Sequence, residues 1–232
     1  MSKKSTCDII SLPEEMLTEI VMQAASSSVN DFINVRLSCK AFLAASNYDQ
    51  VFEKVSMEKV GFVPWRRSER VFEKRCRAAK NAEALYRKGM VDCFSRKKPD
   101  SGLHCFKKAT EKGHVEAMYA YGIILICLGG ELREQGLQIL SSLNLDKSNR
   151  RNSKIIASCR SKTEKLLSCM WVYETLAAPK GRDCDCDCDR DRDRDRDQAW
   201  EASNNVGHCC DTCFWDREAT VFCNLIRKYL IY

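Results

Sequence analysis

The sequence predicts an all-α fold, and three observations lead to that prediction. Among 232 residues only 10 are Gly and 4 are Pro, so the chain lacks the frequent turns of a β-sandwich or β-barrel. Apolar residues recur at helical spacing along most of the chain. Two central stretches are also similar to each other in sequence, at an offset of about 33 residues. Hydrophobic residues make up 44% and charged residues 30%, which is typical of a globular chain.

The first helix is predicted to begin near Ser11. Ser11 and Glu14 have the spacing of a capping box, and Pro13 falls in the first turn, where its missing N–H costs no hydrogen bond. A wide apolar stripe at helical spacing follows, and its members are Leu12, Met16, Leu17, Ile20, Val21 and Ala24.

Two more short helices are expected after a run of three serines. Asn30 or Asp31 is predicted to cap the second helix, and the third is expected near Val51–Val60. The apolar positions of the second helix are Phe32, Val35, Leu37, Cys39 and Phe42. Because three helices this short cannot bury all of these residues among themselves, part of the apolar surface is expected to face a partner.

The spacing of these apolar residues resembles the F-box. The matching elements are Leu12-Pro13, Leu17, Ile20-Val21, Val35 to Lys40 and Phe42. The resemblance assigns residues 8–60 to an F-box and implies docking on the Skp adaptor of a Skp–cullin–F-box (SCF) ubiquitin ligase. The contacts that it implies are Leu12, Pro13, Leu17, Ile20, Val35, Leu37 and Phe42. The alternative is the amphipathic start of an ordinary helical domain.

Residues 64–145 are predicted to form a short array of helical repeats. Gly89 aligns with Gly122 at an offset of 33 residues, and Gly102 aligns with Gly136 at an offset of 34. Two helices per unit at this period are typical of a tetratricopeptide-like array. Small residues at matching positions allow the paired helices to approach closely.

The stretch from Lys107 to Ala117 resembles a Sel-like repeat, in which Gly113 ends one helix as a left-handed cap. His114 then falls in the turn between helices, and we favour a structural role for it over a metal or proton-transfer role. Only about two units are legible, whereas stable stacks need three or more. Helices near 64–80 and over 155–178 are therefore expected to cap the array.

The order of the segments is similar to that of a group of plant F-box proteins. Trp65 to Ser68, Ala84 to Met90 and Met170-Trp171 carry this likeness. It implies an adaptor that recruits a client protein to the SCF ligase through the helical region. It does not identify the client.

The C-terminal part is predicted to contain a low-complexity linker over residues 180–200 and a cysteine-containing segment over 201–232. Cys210 and Cys213 form a Cys-x-x-Cys pair, which can supply two of the four ligands of a structural zinc. The missing pair could be His208 and Cys223, or could come from Cys184, Cys186 and Cys188. Free reduced thiols are the alternative. A final amphipathic helix is expected near Val221 to Leu230, packed back on the repeats.

The cysteine content favours a reducing compartment. Fifteen cysteines are an odd number, and no export signal is visible, so we expect buried thiols and a nuclear or cytoplasmic protein. The longest apolar run, Ile123–Leu128, is far shorter than the roughly 20 residues that span a bilayer.

The charge distribution leaves a second functional class open. Residues 54–112 carry 17 Lys and Arg against 7 Asp and Glu, a net charge of +10, within a chain of net charge +6. A basic segment with a zinc knuckle could bind nucleic acid, although a solvated helical face is the simpler explanation. No nucleophile, metalloprotease, phosphate-loop or dinucleotide motif is present, so we expect binding without catalysis.

Overall fold

The computed structural model describes residues 12–64, 66–143, 154–179 and 210–231. Within these ranges the secondary structure is helical, without a β-strand, which confirms the all-α prediction. The helices are α1 (Glu14–Ser27), α2 (Val29–Ser38), α3 (Lys40–Ala45), α4 (Asp49–Lys54), α5 (Arg67–Ala78), α6 (Ala82–Phe94), α7 (Pro99–Glu111), α8 (Val115–Leu128), α9 (Gly130–Ser141), α10 (Lys154–Leu167) and α11 (Asp211–Lys228).

The N-terminal unit, α1–α4, contains four short helices where the sequence predicts three. Cys39 has an extended backbone, with φ −157° and ψ 166°, and it separates α2 from α3. The cap of α2 is Ser28 rather than Asn30 or Asp31, because the Ser28 hydroxyl accepts a hydrogen bond from the Asp31 N–H at 3.0 Å. The predicted cap of α1, Ser11, lies outside the described residues.

The core of the N-terminal unit extends into the helix that follows it. The rings of Phe32 and Phe52 pack edge to face with centroids 5.7 Å apart, and the ring of Phe72 on α5 lies 6.1 Å from that of Phe52. Cys76 and Ala84, from α5 and α6, are buried in the same cluster. Helix α5 therefore covers one side of the N-terminal unit.

The next four helices form two repeated pairs. Helix α6 packs on α7, and α8 packs on α9, with α7 joining the pairs. A Cβ atom placed on Gly102 would lie 2.9 Å from the carbonyl oxygen of Gly89, and one on Gly136 would lie 2.6 Å from that of Gly122. The glycines that align in the sequence thus mark the same close helix crossing in both pairs.

Helices α10 and α11 add a third layer to these pairs, and we call α6–α11 the repeat stack. Both helices pack on α8, and Phe222 of α11 contacts the rings of Phe94 and Tyr119. The predicted return of the C-terminal helix to the repeats is therefore observed. This helix begins at Asp211, ten residues before the predicted position at Val221.

The helix expected over 155–178 is shorter than predicted. Helix α10 ends at Leu167, and an extended segment follows. In that segment Val172 pairs with Leu230, and the Tyr173 N–H donates to the Phe94 carbonyl at 2.8 Å. Aromatic and β-branched residues lose side-chain freedom in a helix, which favours the extended path here. The predicted linker over 180–200 lies outside the described residues.

Candidate functional site: an apolar face on the N-terminal helices

The structure separates the seven predicted adaptor contacts into three groups. Leu17 and Phe42 are buried inside the N-terminal unit, at 6% and 7% exposure. Leu12 and Val35 are half-buried. Pro13, Ile20 and Leu37 are exposed, with Leu37 at 75%. The two buried residues hold the unit together, and the remaining five are accessible from solvent.

Three further exposed apolar residues belong to the same helices and were missed in the sequence-based contact set. Met16 precedes Ile20 by one turn of α1, and Ile33 precedes Leu37 by one turn of α2. Leu43 on α3 is 42% exposed. Because residues four apart share a helix face, the i − 4 positions of the predicted contacts were the signal for Met16 and Ile33. Met16, Ile20, Ile33, Leu37 and Leu43 are the exposed large apolar residues of α1–α3, and we refer to this set as the apolar face.

A clamp ties the N-terminal unit to the repeat stack. The Asn81 Oδ1 accepts from the Ala84 N–H at 3.1 Å and so caps α6. Its Nδ2 lies 2.9 to 3.1 Å from the carbonyl oxygens of Phe52, Glu53 and Val55. Asn81 is 3% exposed, and these carbonyls belong to the end of α4 and the residue after it. The apolar face is therefore anchored to the stack through buried polar contacts.

His114 takes a structural role in the turn between α7 and α8. Its Nδ1 accepts from the Ala117 N–H at 3.1 Å, so that the ring caps α8, and its Nε2 lies 2.8 Å from Glu83. Burial alone would raise the pKa of Glu83. The hydrogen bond with His114 and the Arg87 guanidinium outweigh that effect and hold the pKa at about 2. This buried network stabilises the stack.

The four residues predicted to bind zinc do not form one site. Cys210 caps the N-terminus of α11, with its Sγ 3.4 Å from the Cys213 N–H, whereas Cys223 lies ten residues beyond Cys213 on the same helix. Ten residues of α-helix span about 15 Å, and zinc holds its sulfur ligands about 2.3 Å away. Cys223 therefore cannot share a metal with the Cys-x-x-Cys pair.

The remaining zinc candidates are only partly described. Cys223 is fully buried, and its Sγ lies 3.6 Å from that of Cys127 on α8. This contact and burial raise the pKa of the Cys127 thiol far above its ordinary value. His208 and the residues Cys184, Cys186 and Cys188 lie outside the described ranges. Among the residues inside those ranges, no group of three or more His, Cys, Asp or Glu side chains could hold a metal.

Several cations of residues 54–112 form contacts within the fold. Lys88 and Arg96 face the buried carboxylate of Asp92, and Lys112 pairs with Glu53. Arg87 is 2% exposed and donates to the carbonyls of residues 57, 60 and 61 as well as to Glu83. These four cations serve contacts within the fold, but two of the carboxylates that they contact, Asp92 and Glu83, already count in the net charge of +10.

Comparison with known proteins places the chain among its relatives. The family model of plant tetratrico peptide repeats matches residues 57–168. Three Arabidopsis thaliana proteins named as F-box proteins are similar. At1g67623 is 41% identical over 61% of this chain and 48% of its own length. At2g35280 is 32% identical over 59% of this chain and 83% of its own length. At5g50450 is 28% identical over 49% of this chain and 35% of its own length.

The chain thus spans about half the length of the first of these relatives and most of the second. No solved structure matches the chain significantly. No helix in the described ranges is long and apolar enough to cross a membrane. With repeats of the plant tetratricopeptide type and an N-terminal helical unit before them, the chain belongs to a plant family of F-box proteins that carry tetratricopeptide-like helical repeats.

Proposed function

We propose that the protein is a substrate adaptor of an SCF-type ubiquitin ligase. In this proposal the apolar face docks on a Skp-type adaptor, which connects the protein to the cullin core. The repeat stack presents a client protein. Membership of the F-box family and the exposed apolar side chains of α1–α3 support the assignment.

The exposure of Leu37 carries the proposal. A leucine with 75% exposure on a short helix leaves apolar surface in water, and Ile33 one turn earlier does the same at 44%. Burial of each large apolar side chain in a partner contributes about 1.5–3 kcal/mol. The five residues of the apolar face are 36% to 75% exposed, so docking would gain the corresponding fraction of this contribution at each position, and the entropic cost of association is set against that gain.

The proposed mechanism is proximity rather than catalysis. An adaptor that binds the ligase through one surface and the client through another raises the effective concentration of a client lysine near the ubiquitin-conjugating enzyme. The described cysteines are free thiols, as expected for the nuclear or cytoplasmic location that we propose.

The test is binding of the full-length chain to a plant Skp-type adaptor, measured by co-purification and by calorimetry. Ile20→Asp and Leu37→Asp each place a carboxylate in the apolar face, and each should weaken binding by about tenfold or more, because desolvating an unpaired charge opposes docking. Both positions are exposed, so the helical content by circular dichroism should be unchanged.

Val71→Asp is the matched control. Val71 is 61% exposed and lies on α5, outside the apolar face. Its substitution adds the same charge and should leave adaptor binding unchanged. Equal binding of the wild-type chain and Leu37→Asp, or equal weakening by Val71→Asp, would contradict the proposed docking surface.

A further inference from the structure

A second exposed surface lies where the N-terminal unit meets α5, separate from the five residues of the apolar face. It is a groove with a volume of about 510 Å³, which is within the range of ligand pockets. Its lining residues come from α2, α4 and α5, and they are Arg36, Phe52, Arg67, Ser68, Val71, Phe72 and Arg75.

The floor of the groove is apolar. Phe52 and Phe72 pack edge to face against each other, and Phe52 is only 1% exposed because Phe32 and its neighbours surround it. Val71 stands on the rim at 61% exposure. The half-buried ring of Phe72 and the side chain of Val71 therefore provide the apolar surface of the groove.

Three arginines give the groove its charge. The guanidinium of Arg75 lies 4.2 Å from the centre of the Phe52 ring and donates to the Asn47 carbonyl at 2.5 Å. Arg36 donates to the Asn47 Oδ1 at 3.2 Å. Arg67, in the first turn of α5, is exposed. Within the described part of the chain, none of the three forms an ion pair, so most of their donors face the groove or solvent.

Three arginines elsewhere in the fold, by contrast, pair with carboxylates. Arg87 pairs with Glu83, Arg133 with Asp216 and Arg160 with Glu218. The groove lining contains three cations and no acidic side chain. Its positive charge is therefore left for a ligand of opposite charge.

We propose that this groove binds an acidic segment of a client protein. An apolar side chain of the segment packs on Phe72 and Val71, and flanking carboxylates receive paired hydrogen bonds from Arg67 and Arg36. This inference rests on the proposed adaptor function, specifies the chemistry of the client, and adds to the repeat stack a second client contact where the N-terminal unit meets α5. A single-stranded nucleic acid would need open aromatic faces for base stacking. Phe52 is buried beneath Arg75, which leaves only the half-buried ring of Phe72 for such a contact.

The test uses the full-length chain and a fluorescein-labelled peptide of Glu-Glu-Leu repeats, followed by fluorescence anisotropy. A second peptide, with Gln in place of Glu, has the same length and apolar content without the charge. The acidic peptide should bind, and added salt should weaken its binding. The Gln peptide should not bind.

Variants of α5 locate the site. Arg67→Gln should weaken binding of the acidic peptide by about tenfold, because it removes a charge-assisted hydrogen bond. Val71→Asp should abolish binding. Arg70→Gln is the matched control, because Arg70 is exposed on the same helix but does not line the groove. It removes the same charge one turn along the helix, and because it does not line the groove its effect should be clearly smaller than that of Arg67→Gln.

Several outcomes would overturn the proposal. Binding of the Gln peptide as tight as that of the acidic one would remove the charge requirement. Equal effects of Arg70→Gln and Arg67→Gln would mean that the peptide is held by non-specific electrostatic attraction and not by the groove. Tighter, Arg67-dependent binding of a labelled oligothymidylate would make the groove a nucleic-acid site.

Measuring the binding of the Skp-type adaptor by the same variants distinguishes the two proposals. Ile20→Asp should lose the Skp-type adaptor and keep the acidic peptide, whereas Val71→Asp should show the reverse. Loss of both interactions in one variant, with helical content intact, would contradict the separation of the two surfaces.

Discussion

Glu218 of the C-terminal helix is fully buried and accepts a hydrogen bond from the Tyr119 hydroxyl at 2.5 Å, although 99 residues separate them in the chain. The Arg160 guanidinium donates to the same carboxylate from α10. Three helices of the repeat stack thus meet at one buried charge pair. Close by on α11, Asp216 holds both terminal nitrogens of Arg133, at 2.6 and 2.8 Å.

Glu218→Gln should destabilise the fold strongly. The amide removes the negative charge that pairs with the half-buried Arg160, and breaking a buried pair on one side costs about 3 kcal/mol or more. Urea unfolding followed by circular dichroism measures the loss. Glu164→Gln is the control, because its pair with Lys228 is exposed and contributes at most about 1 kcal/mol. Similar losses in the two variants would show that the buried pair is not special.

The low pKa of Glu83 predicts that the stability of the fold depends on pH in the acidic range. Its pKa is about 2 in the fold against an ordinary value of 4.5. A carboxyl whose pKa is lower in the folded than in the unfolded chain stabilises the fold at every pH above the unfolded pKa. This contribution, about 3 kcal/mol here, is lost as the pH falls from about 4.5 to about 2.

The comparison of wild type with Glu83→Gln follows this effect, because the two proteins have the same remaining titrating groups and only His114 and Arg87 lose a charged partner. The difference in the free energy of unfolding should be largest at neutral pH and should shrink steadily below pH 4.5, the ordinary value of this carboxyl. A difference that stays constant with pH would mean that Glu83 does not titrate as described.

Gly136→Ala should weaken the packing of α9 on α8. The added Cβ would lie 2.6 Å from the Gly122 carbonyl oxygen, so the helices must separate. Overpacking of this kind costs about 1–3 kcal/mol. Gly61→Ala serves as the control, because its nearest contact would be an ordinary 3.7 Å from the Val63 carbonyl, and its effect should stay within about 0.5 kcal/mol. An unchanged unfolding midpoint for Gly136→Ala would contradict the close crossing.

Asn81→Ala should loosen the attachment of the N-terminal unit to the repeat stack. It removes the cap of α6 and leaves buried carbonyls at the end of α4 unpaired, a loss of about 2–3 kcal/mol. Asn81→Asp keeps the acceptor that caps Ala84 but cannot donate, so it separates the two contributions in the same unfolding measurement. If Asn81→Asp is as stable as wild type, the donated hydrogen bonds contribute nothing.

Local sequence patterns predicted the elements and their repetition. The matching offsets of Gly89 and Gly102 to Gly122 and Gly136 located both helix pairs, because close crossings need small residues at fixed positions. The ends of the elements were less predictable. Cys39 interrupts a helical pattern and α10 ends at Leu167, since tertiary contacts such as the bond from Tyr173 to Phe94 decide where a marginal helix stops.

The sequence by itself determined the helices, the repeat period and the F-box resemblance, because these depend on residue types at short spacings. Only the tertiary structure decided which side of each apolar stripe is covered. A helical period identifies an apolar stripe, but it does not say whether Leu17 or Ile20 points to the core. Contacts between distant segments, as between Tyr119 and Glu218 or around the arginine groove, depend on how the helices pack, and no local pattern encodes them.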